Sequence, residues 1–317
     1  MKIGRALPFA LLALTLTGAV TIALRWRIES TGGSPVQRAS SEQPDPGSSE
    51  ATKSLTTKTI EAVKNVAGQA GDILTRVPCL PAKGIADSSG SLPRVAKRIA
   101  AGDPVTIVAF GSSTTVGYGT SSPAYTYPNR LVDQLRRKFP TANISIINRG
   151  MGGQDTPEMM KRFNAAVLAS DPDLVIWQLG TNTVIKGSES DIVATKALIE
   201  DGIAQLQSRG IDVVLIDPQY VPAVAAKQEN ASEMVKLIAS VARLKNVSVF
   251  PRFEVMKQWH ENDKMPFDSF VIGDGLHMND WGYACFAQLL GDTIIKSVGQ
   301  VKAGANTPTN VMTFRAM

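Results

Sequence analysis

Residues 105–115 read VTIVAFGSSTT. Val105 to Phe110 form a short, unbroken apolar run, and a Gly-Ser-Ser turn ends it. A strand reads this way when both of its faces are covered, as in a parallel sheet flanked by helices. The pattern recurs at ISIIN (144–148), DLVIWQLG (173–180), VVLIDP (213–218) and VSVF (247–250). Between these runs the apolar residues take helical spacing: Tyr127–Phe139, stopping at Pro140; Pro157–Leu168; 189–208, closing at Gly210; 229–244; and a last helix over about 280–297. Strands alternating with helices predict an α/β fold, a three-layer α/β/α sandwich around a five-stranded, parallel, doubly wound sheet of flavodoxin-like outline. Such sheets bind their ligands beyond the carboxyl ends of the strands. The residues that follow each run are therefore the informative ones.

Phe110-Gly111-Ser112-Ser113-Thr114-Thr115 follows the first strand. A serine there is either a helix cap or turn residue, or a hydroxyl exposed at the top of the sheet. Asn148-Arg149-Gly150-Met151-Gly152-Gly153-Gln154-Asp155 follows the second. Its glycines allow a sharp turn and leave N–H groups to point at an anion, or simply make a left-handed turn. The G-x-G-x-x-G and Walker phosphate-binding patterns are absent. Leu179-Gly180-Thr181-Asn182-Thr183 follows the third strand, where an asparagine amide either donates to an oxyanion or closes an Asx-turn. Gly273-Asp274-Gly275-Leu276-His277 precedes the last helix. An aspartate three residues before a histidine can orient the imidazole and stabilise its cation. His260, in WHEND, reads as a surface residue on a helix.

In order, the strand-end loops supply Ser, Gly, Asn and Asp-x-x-His. That set resembles the SGNH hydrolase superfamily, the GDSL-type esterases and lipases, over about residues 105–297. The resemblance implies a five-stranded sandwich fold. It puts the nucleophile at Ser113, the oxyanion glycine at Gly153 with Gly152 the competing register, the oxyanion asparagine at Asn182, and the base and its orienter at His277 and Asp274. Ser112 stands where the family usually has Asp, and Thr183 where it usually has Asp after the asparagine. These two departures bear on subfamily and substrate more than on ester cleavage.

The implied chemistry is acyl transfer through a Ser-His-Asp triad, with the N–H of Ser113, the N–H of Gly153 and the amide of Asn182 as oxyanion donors. It needs no cofactor and no metal. The loops at 114–126 and 262–274 are polar and contain glycine, which suits an open site and a short acyl group. The expected substrate is an acylated, in particular O-acetylated, envelope or extracellular glycan. The alternatives are an acyltransferase to a glycan with the same residues, a lysophospholipase- or thioesterase-type lipid hydrolase, and a non-catalytic glycan-binding module. A flavodoxin-like nucleotide binder would lack its phosphate fingerprint.

The rest of the chain frames this domain. Lys2 and Arg5 precede an uncharged apolar run from Leu7 to Leu24, and Arg25 and Arg27 follow it. Its length and the lack of a small-x-small site favour an uncleaved membrane anchor (1–27) over a cleaved signal peptide. Residues 28–56 are rich in Ser, Gly and Pro and read as a disordered tether. A helical lead-in spans 57–104, with helical spacing over 57–76 and a short helix over 92–101. The catalytic domain is expected over 105–300, and a tail over 301–317. This organisation puts the domain outside the cytoplasm, in the periplasm or at the cell surface. The 317 residues are 44% hydrophobic and 19% charged, with a net charge of +5 spread along the chain, which is enough apolar content for a core and gives no nucleic-acid footprint. Two Cys and two His exclude a zinc ribbon or an iron–sulfur cluster and make a multi-histidine metal site unexpected. Outside the cytoplasm Cys79 and Cys285 either pair, pinning the lead-in to the last helix, or remain two buried thiols.

Overall fold

Val105, Ile107 and Val108 to Phe110 are all buried in strand β1 (Val105–Gly111), an interior strand of the sheet. The computed structural model describes Cys79, residues 90–187 and residues 189–304. The expected anchor (1–27), the linker (28–56), the helix over 57–76 and residues 305–317 of the tail lie outside the described residues. Helix α1 (Pro93–Ala101) precedes β1. After β1 come α2 (Ser113–Val116), α3 (Tyr127–Lys138), β2 (Ile144–Gly150), α4 (Thr156–Lys161), α5 (Phe163–Ala166), β3 (Leu174–Gln178), α6 (Thr181–Lys186), α7 (Glu189–Gln207) and β4 (Asp212–Ile216). Then follow α8 (Pro222–Ala225), α9 (Gln228–Lys245), β5 (Ser248–Phe250), α10 (Arg252–Lys257) and α11 (Asp280–Gly304).

The five strands form one parallel sheet in the order β2-β1-β3-β4-β5. Helices α1, α3 and α11 pack together on one face, and α4, α7 and α9 on the other. The chain goes from β1 to one side and then returns to the other side of β1 as β3. The loops after β1 and β3 therefore diverge, and a crevice opens at the carboxyl ends of these two strands.

Every residue of β3 and β4 is buried, which is why their sequence shows no polar alternation. Trp177, Phe110 and Phe163 pack ring to ring in the core, with centroids 5.4–5.8 Å apart. Truncating such a side chain to alanine costs about 3–5 kcal/mol. Cys79 and Cys285 are joined by a disulfide with Cα atoms 5.3 Å apart, so the lead-in is fastened to α11. Among the described residues no helix is long and apolar enough to cross a membrane.

Three local expectations are corrected. The single helix expected over 157–168 is broken into α4, α5 and a 3-10 turn at Leu168–Ser170. The break falls at Arg162, whose guanidinium turns back to the strand-end loops. The last helix runs to Gly304, beyond the expected end at about 297. His260 is half-buried in a π-helical turn (Gln258–Asn262). Its ring stacks on Phe267 with centroids 3.8 Å apart, and its Nδ1 lies 2.8 Å from the Met265 carbonyl. Aromatic packing, invisible in the WHEND string, took it off the surface.

Candidate active site

The Gly-Ser-Ser turn carries the chain from β1 into α2, and Ser113 is the first residue of that helix. At this position its N–H has no intrahelical acceptor. Gly111 is required by close approach, because a Cβ there would meet Thr115 Oγ1 at 2.2 Å and Gln178 Oε1 at 2.7 Å. Gln178, the last residue of β3 and 1% exposed, holds the turn. Its Oε1 accepts from the Ser112 N–H (2.9 Å), the Ser112 hydroxyl (2.9 Å) and the Thr115 hydroxyl (3.3 Å). Ser112 is thus a buried donor to the neighbouring strand.

Asp274 and His277 lie in a hairpin closed by the Val271–Met278 bridge and by the Ile272 N–H donating to the His277 carbonyl. Asp274 Oδ1 accepts from the N–H groups of Leu276 and His277, both at 2.9 Å. Its Oδ2 lies 2.6 Å from His277 Nδ1. On the other side of the ring, Nε2 lies 2.8 Å from Ser113 Oγ. One tautomer satisfies both contacts: Nδ1–H donates to Asp274, and Nε2 accepts from the Ser113 hydroxyl. Burial pushes the Asp274 carboxyl up, but the His277 N–H, the imidazole and the Leu276 N–H together outweigh it and hold the carboxyl below its ordinary range. Asp274 therefore stays an anion beside the ring.

The glycine loop after β2 ends in a capping box: the Asp155 side chain accepts from the Glu158 N–H, and the Glu158 side chain accepts from the Asp155 N–H. Gly153 lies in this loop at φ +75°. Asn182, 8% exposed, stands in the first turn of α6, and its Nδ2 donates to the Gln154 carbonyl at 2.8 Å. That nitrogen has a second hydrogen to give. Lys186, one turn on, donates to the Gly153 carbonyl at 2.5 Å. Helix α6 thus grips the glycine loop by two successive carbonyls. Thr183 is buried, and its Oγ1 has no partner among the described residues.

The structure brings Ser113, His277 and Asp274 together. It places Gly153 and Asn182 on adjoining loops joined through Gln154. Three further residues tie these loops together, and the sequence reading did not single them out. Gln178 joins β3 to the serine turn. Arg162 donates to the carbonyls of Gly111 (3.0 Å) and Arg149 (2.9 Å) and to Gln154 Oε1 (2.6 Å), and lies over the Phe110 ring. Gln219, 1% exposed, accepts from the Thr114 hydroxyl at 3.1 Å and donates to the Leu276 carbonyl at 2.8 Å, so it bridges the serine helix and the histidine loop. Behind the site, the guanidinium of fully buried Arg252 donates to the Asp217 carbonyl oxygen at 2.9 and 3.1 Å. Burial pushes the Asp217 carboxyl up to about 7 and the Arg252 guanidinium down to about 10.

A parallel five-stranded sandwich with a linked serine, histidine and aspartate at its switch point is the arrangement of the SGNH-type hydrolases. The chain belongs to the non-GDSL lipase-like family, which matches residues 78–300, and so to a class of enzymes that act on ester bonds. No curated protein matches the sequence. Among solved structures it is similar to a two-domain esterase active on acetylated mannans, at 23% identity over 68% of this chain and 55% of that one, with a TM-score of 0.54. The chain thus spans little more than half of that protein. It is also similar to a lipolytic protein of the G-D-S-L family from Desulfitobacterium hafniense, at 22% identity over 60% of this chain and 99% of that one, with a TM-score of 0.51. An acetylxylan esterase from Geobacillus stearothermophilus, crystallised as a catalytic mutant, is similar at 16% identity over 62% of this chain and 94% of that one, with a TM-score of 0.51. At these identities the likeness is one of fold.

Proposed function

We propose that the protein is a serine esterase that removes short acyl groups, acetyl above all, from a glycan outside the cytoplasm. The observation that carries the reading is the unbroken chain from Ser113 Oγ through His277 to Asp274, at 2.8 and 2.6 Å. Ser113 attacks the ester carbonyl while His277 Nε2 takes its proton. Asp274 holds the ring by Nδ1–H and stabilises the imidazolium. The negative oxygen of the tetrahedral intermediate is met by the Ser113 N–H, the Gly153 N–H and the second hydrogen of Asn182 Nδ2. His277 then protonates the departing alcohol. Water, activated by the same imidazole, releases the acid from the acyl-enzyme.

The short acyl group is supported by the loop that follows the serine: residues 114–126, TTVGYGTSSPAYT, are mostly polar or small. The substrates named for two of the structural neighbours, acetylated mannans and acetylxylan, fit the same choice. The disulfide fits an oxidising compartment, and the apolar segment Leu7–Leu24 would tether the domain to a membrane facing it.

The test is hydrolysis of p-nitrophenyl esters from acetate to dodecanoate by the whole protein, with Ser113→Ala alongside. The expected result is a rate that falls with chain length and drops to background in the variant. Activity retained by Ser113→Ala would remove the proposal. A Ser113-dependent rate that rises with chain length would move the substrate to lipids.

A further inference from the structure

Tyr118 is 59% exposed, yet its ring packs against the imidazole of His277 with centroids 4.5 Å apart and planes tilted by 53°. An aromatic ring left largely in water beside a buried base is an unusual use of apolar surface. The backbone holds it there. The Tyr118 N–H donates to the Ser113 carbonyl at 3.0 Å, and its carbonyl accepts from the Tyr283 hydroxyl at 2.8 Å. Gly117 and Gly119 flank it at φ +98° and +94°. A Cβ on Gly119 would lie 2.4 Å from the Met278 carbonyl and 3.3 Å from His277 Cβ, so the loop is pressed onto the histidine hairpin as closely as glycine allows. Further on, the Ser121 N–H donates to Asp280 Oδ1 at 2.9 Å. These contacts hold the backbone that presents the ring.

Its position decides which half of a substrate it meets. In ester cleavage the carbonyl oxygen turns toward the oxyanion donors, and the leaving oxygen must lie beside the imidazole that protonates it. A surface packed on the imidazole therefore faces the alcohol half. A single rigid aromatic face suits a flat ring with axial C–H bonds, not a flexible chain, which needs enclosure.

We infer that Tyr118 is a stacking platform for the pyranose ring that carries the ester, making the loop Val116–Ser122 a sugar subsite on the leaving-group side. The inference rests on the esterase reading and assigns its alcohol half. The ring excludes water from one face of His277 and places the sugar oxygen next to Nε2.

The experiment compares Tyr118→Ala, Tyr118→Phe and Tyr118→Trp with the native chain. The substrates are O-acetylated manno-, xylo- and chito-oligosaccharides, p-nitrophenyl acetate and p-nitrophenyl decanoate. Binding of the deacetylated oligosaccharides to a Ser113→Ala background is followed by calorimetry. The expected result is that Tyr118→Ala lowers kcat/KM on its best acetylated oligosaccharide by about ten-fold more than on p-nitrophenyl acetate, mainly through KM. Phe and Trp should restore most of it, and binding should weaken in step. An equal loss on both substrates would make the ring a mere support for His277 and overturn the inference. A loss confined to the decanoate would reassign the platform to an acyl chain and also overturn it. Tyr118-dependent sugar binding with no Ser113-dependent hydrolysis would keep the platform and remove the esterase reading. Hydrolysis of p-nitrophenyl acetate with no Tyr118-dependent sugar binding would do the reverse.

Discussion

At the amino ends of the strands, Asp173 is 1% exposed and accepts from Arg94 Nε at 2.7 Å, Arg98 Nε at 2.9 Å and the Thr106 N–H at 2.9 Å. At the carboxyl ends, Asp274 is bound as tightly to His277, and His277 to Ser113. Both clusters are charged, both span long sequence separations, and both hold their aspartate below the ordinary carboxylate range, against the burial that would raise it. They differ in where the hydrogen bonds end. The Asp173 network is closed: every contact terminates on another part of the chain and fastens α1 to β1 and β3. The Asp274 network ends on the hydroxyl of Ser113, a partly exposed residue. A closed polar cluster contributes to folding, whereas the open one is free to serve the proposed catalysis.

On the proposed mechanism, loss of Ser113, His277 or Asp274 has the largest effects, and the next is at Asn182. Replacing it with alanine would remove one proposed oxyanion donor while leaving the Ser-His-Asp contacts in place. The rate on p-nitrophenyl acetate should fall about 10²–10³-fold, equivalent to about 3–4 kcal/mol of transition-state stabilisation, and mostly in kcat. A loss under about ten-fold would mean that Asn182 only holds the Gln154 carbonyl and is not an oxyanion donor.

The closed end should respond in the opposite way. Asp173→Asn keeps an acceptor but removes the charge that two guanidiniums share, at a cost of roughly 2–3 kcal/mol. For a domain of this size that lowers Tm by roughly 5–10 °C. The kcat/KM of the folded variant should match the native protein, since Asp173 lies at the far ends of the strands. Thermal unfolding and esterase assays on one preparation check both. A folded Asp173→Asn protein with altered kcat/KM would break the contrast between the two ends.

The contrast also explains what could be read from the sequence. The strands were legible because burial on both faces turns each into an unbroken apolar run, and Leu174–Gln178 and Asp212–Ile216 are buried throughout. Ser113, Gly153, Asn182 and Asp274-x-x-His277 are each ambiguous alone, and only as a set in chain order do they resemble the SGNH pattern. Gln178, Gln219 and Arg162 did not stand out. Glutamine has no turn preference and fits no hydrophobic period, and the roles of Gln178 and Gln219 come from partners 57 to 105 residues away along the chain. Arg162 falls inside the helix expected over 157–168, and its reach to Gly111 and Arg149 marks where that helix stops. His260 was misplaced for the same reason: its stacking partner Phe267 belongs to a later turn. The platform role inferred for Tyr118 likewise depends on the ring it meets 159 residues on.

The smallest expected effect concerns Asp217, a charge at the open end that is not part of the open network. It is 2% exposed, accepts from the Phe253 N–H at 2.9 Å, and feels Arg252 as an attractive charge and Glu254 as a repulsive one. Burial dominates and lifts it to about 7, while in the unfolded chain it titrates near 3.9. Between those values the folded protein holds a proton that the unfolded chain has lost. Stability from this group is therefore full below about pH 4 and declines as pH rises to about 7. Asp217→Asn cannot titrate, and its Oδ1 still accepts from Phe253. The stability of the variant relative to the native protein should rise between pH 6 and pH 8 by roughly 1–2 kcal/mol, read as Tm at each pH. The pH profile of kcat/KM should keep its shape, because Asp217 touches neither Ser113, His277 nor Asp274. A stability difference that stays flat with pH would mean that Arg252 keeps Asp217 ionised as a buried pair. A displaced activity profile would mean that the open network extends behind Asn182 to Asp217, and the boundary between the closed and open clusters would have to be redrawn through the middle of the sheet.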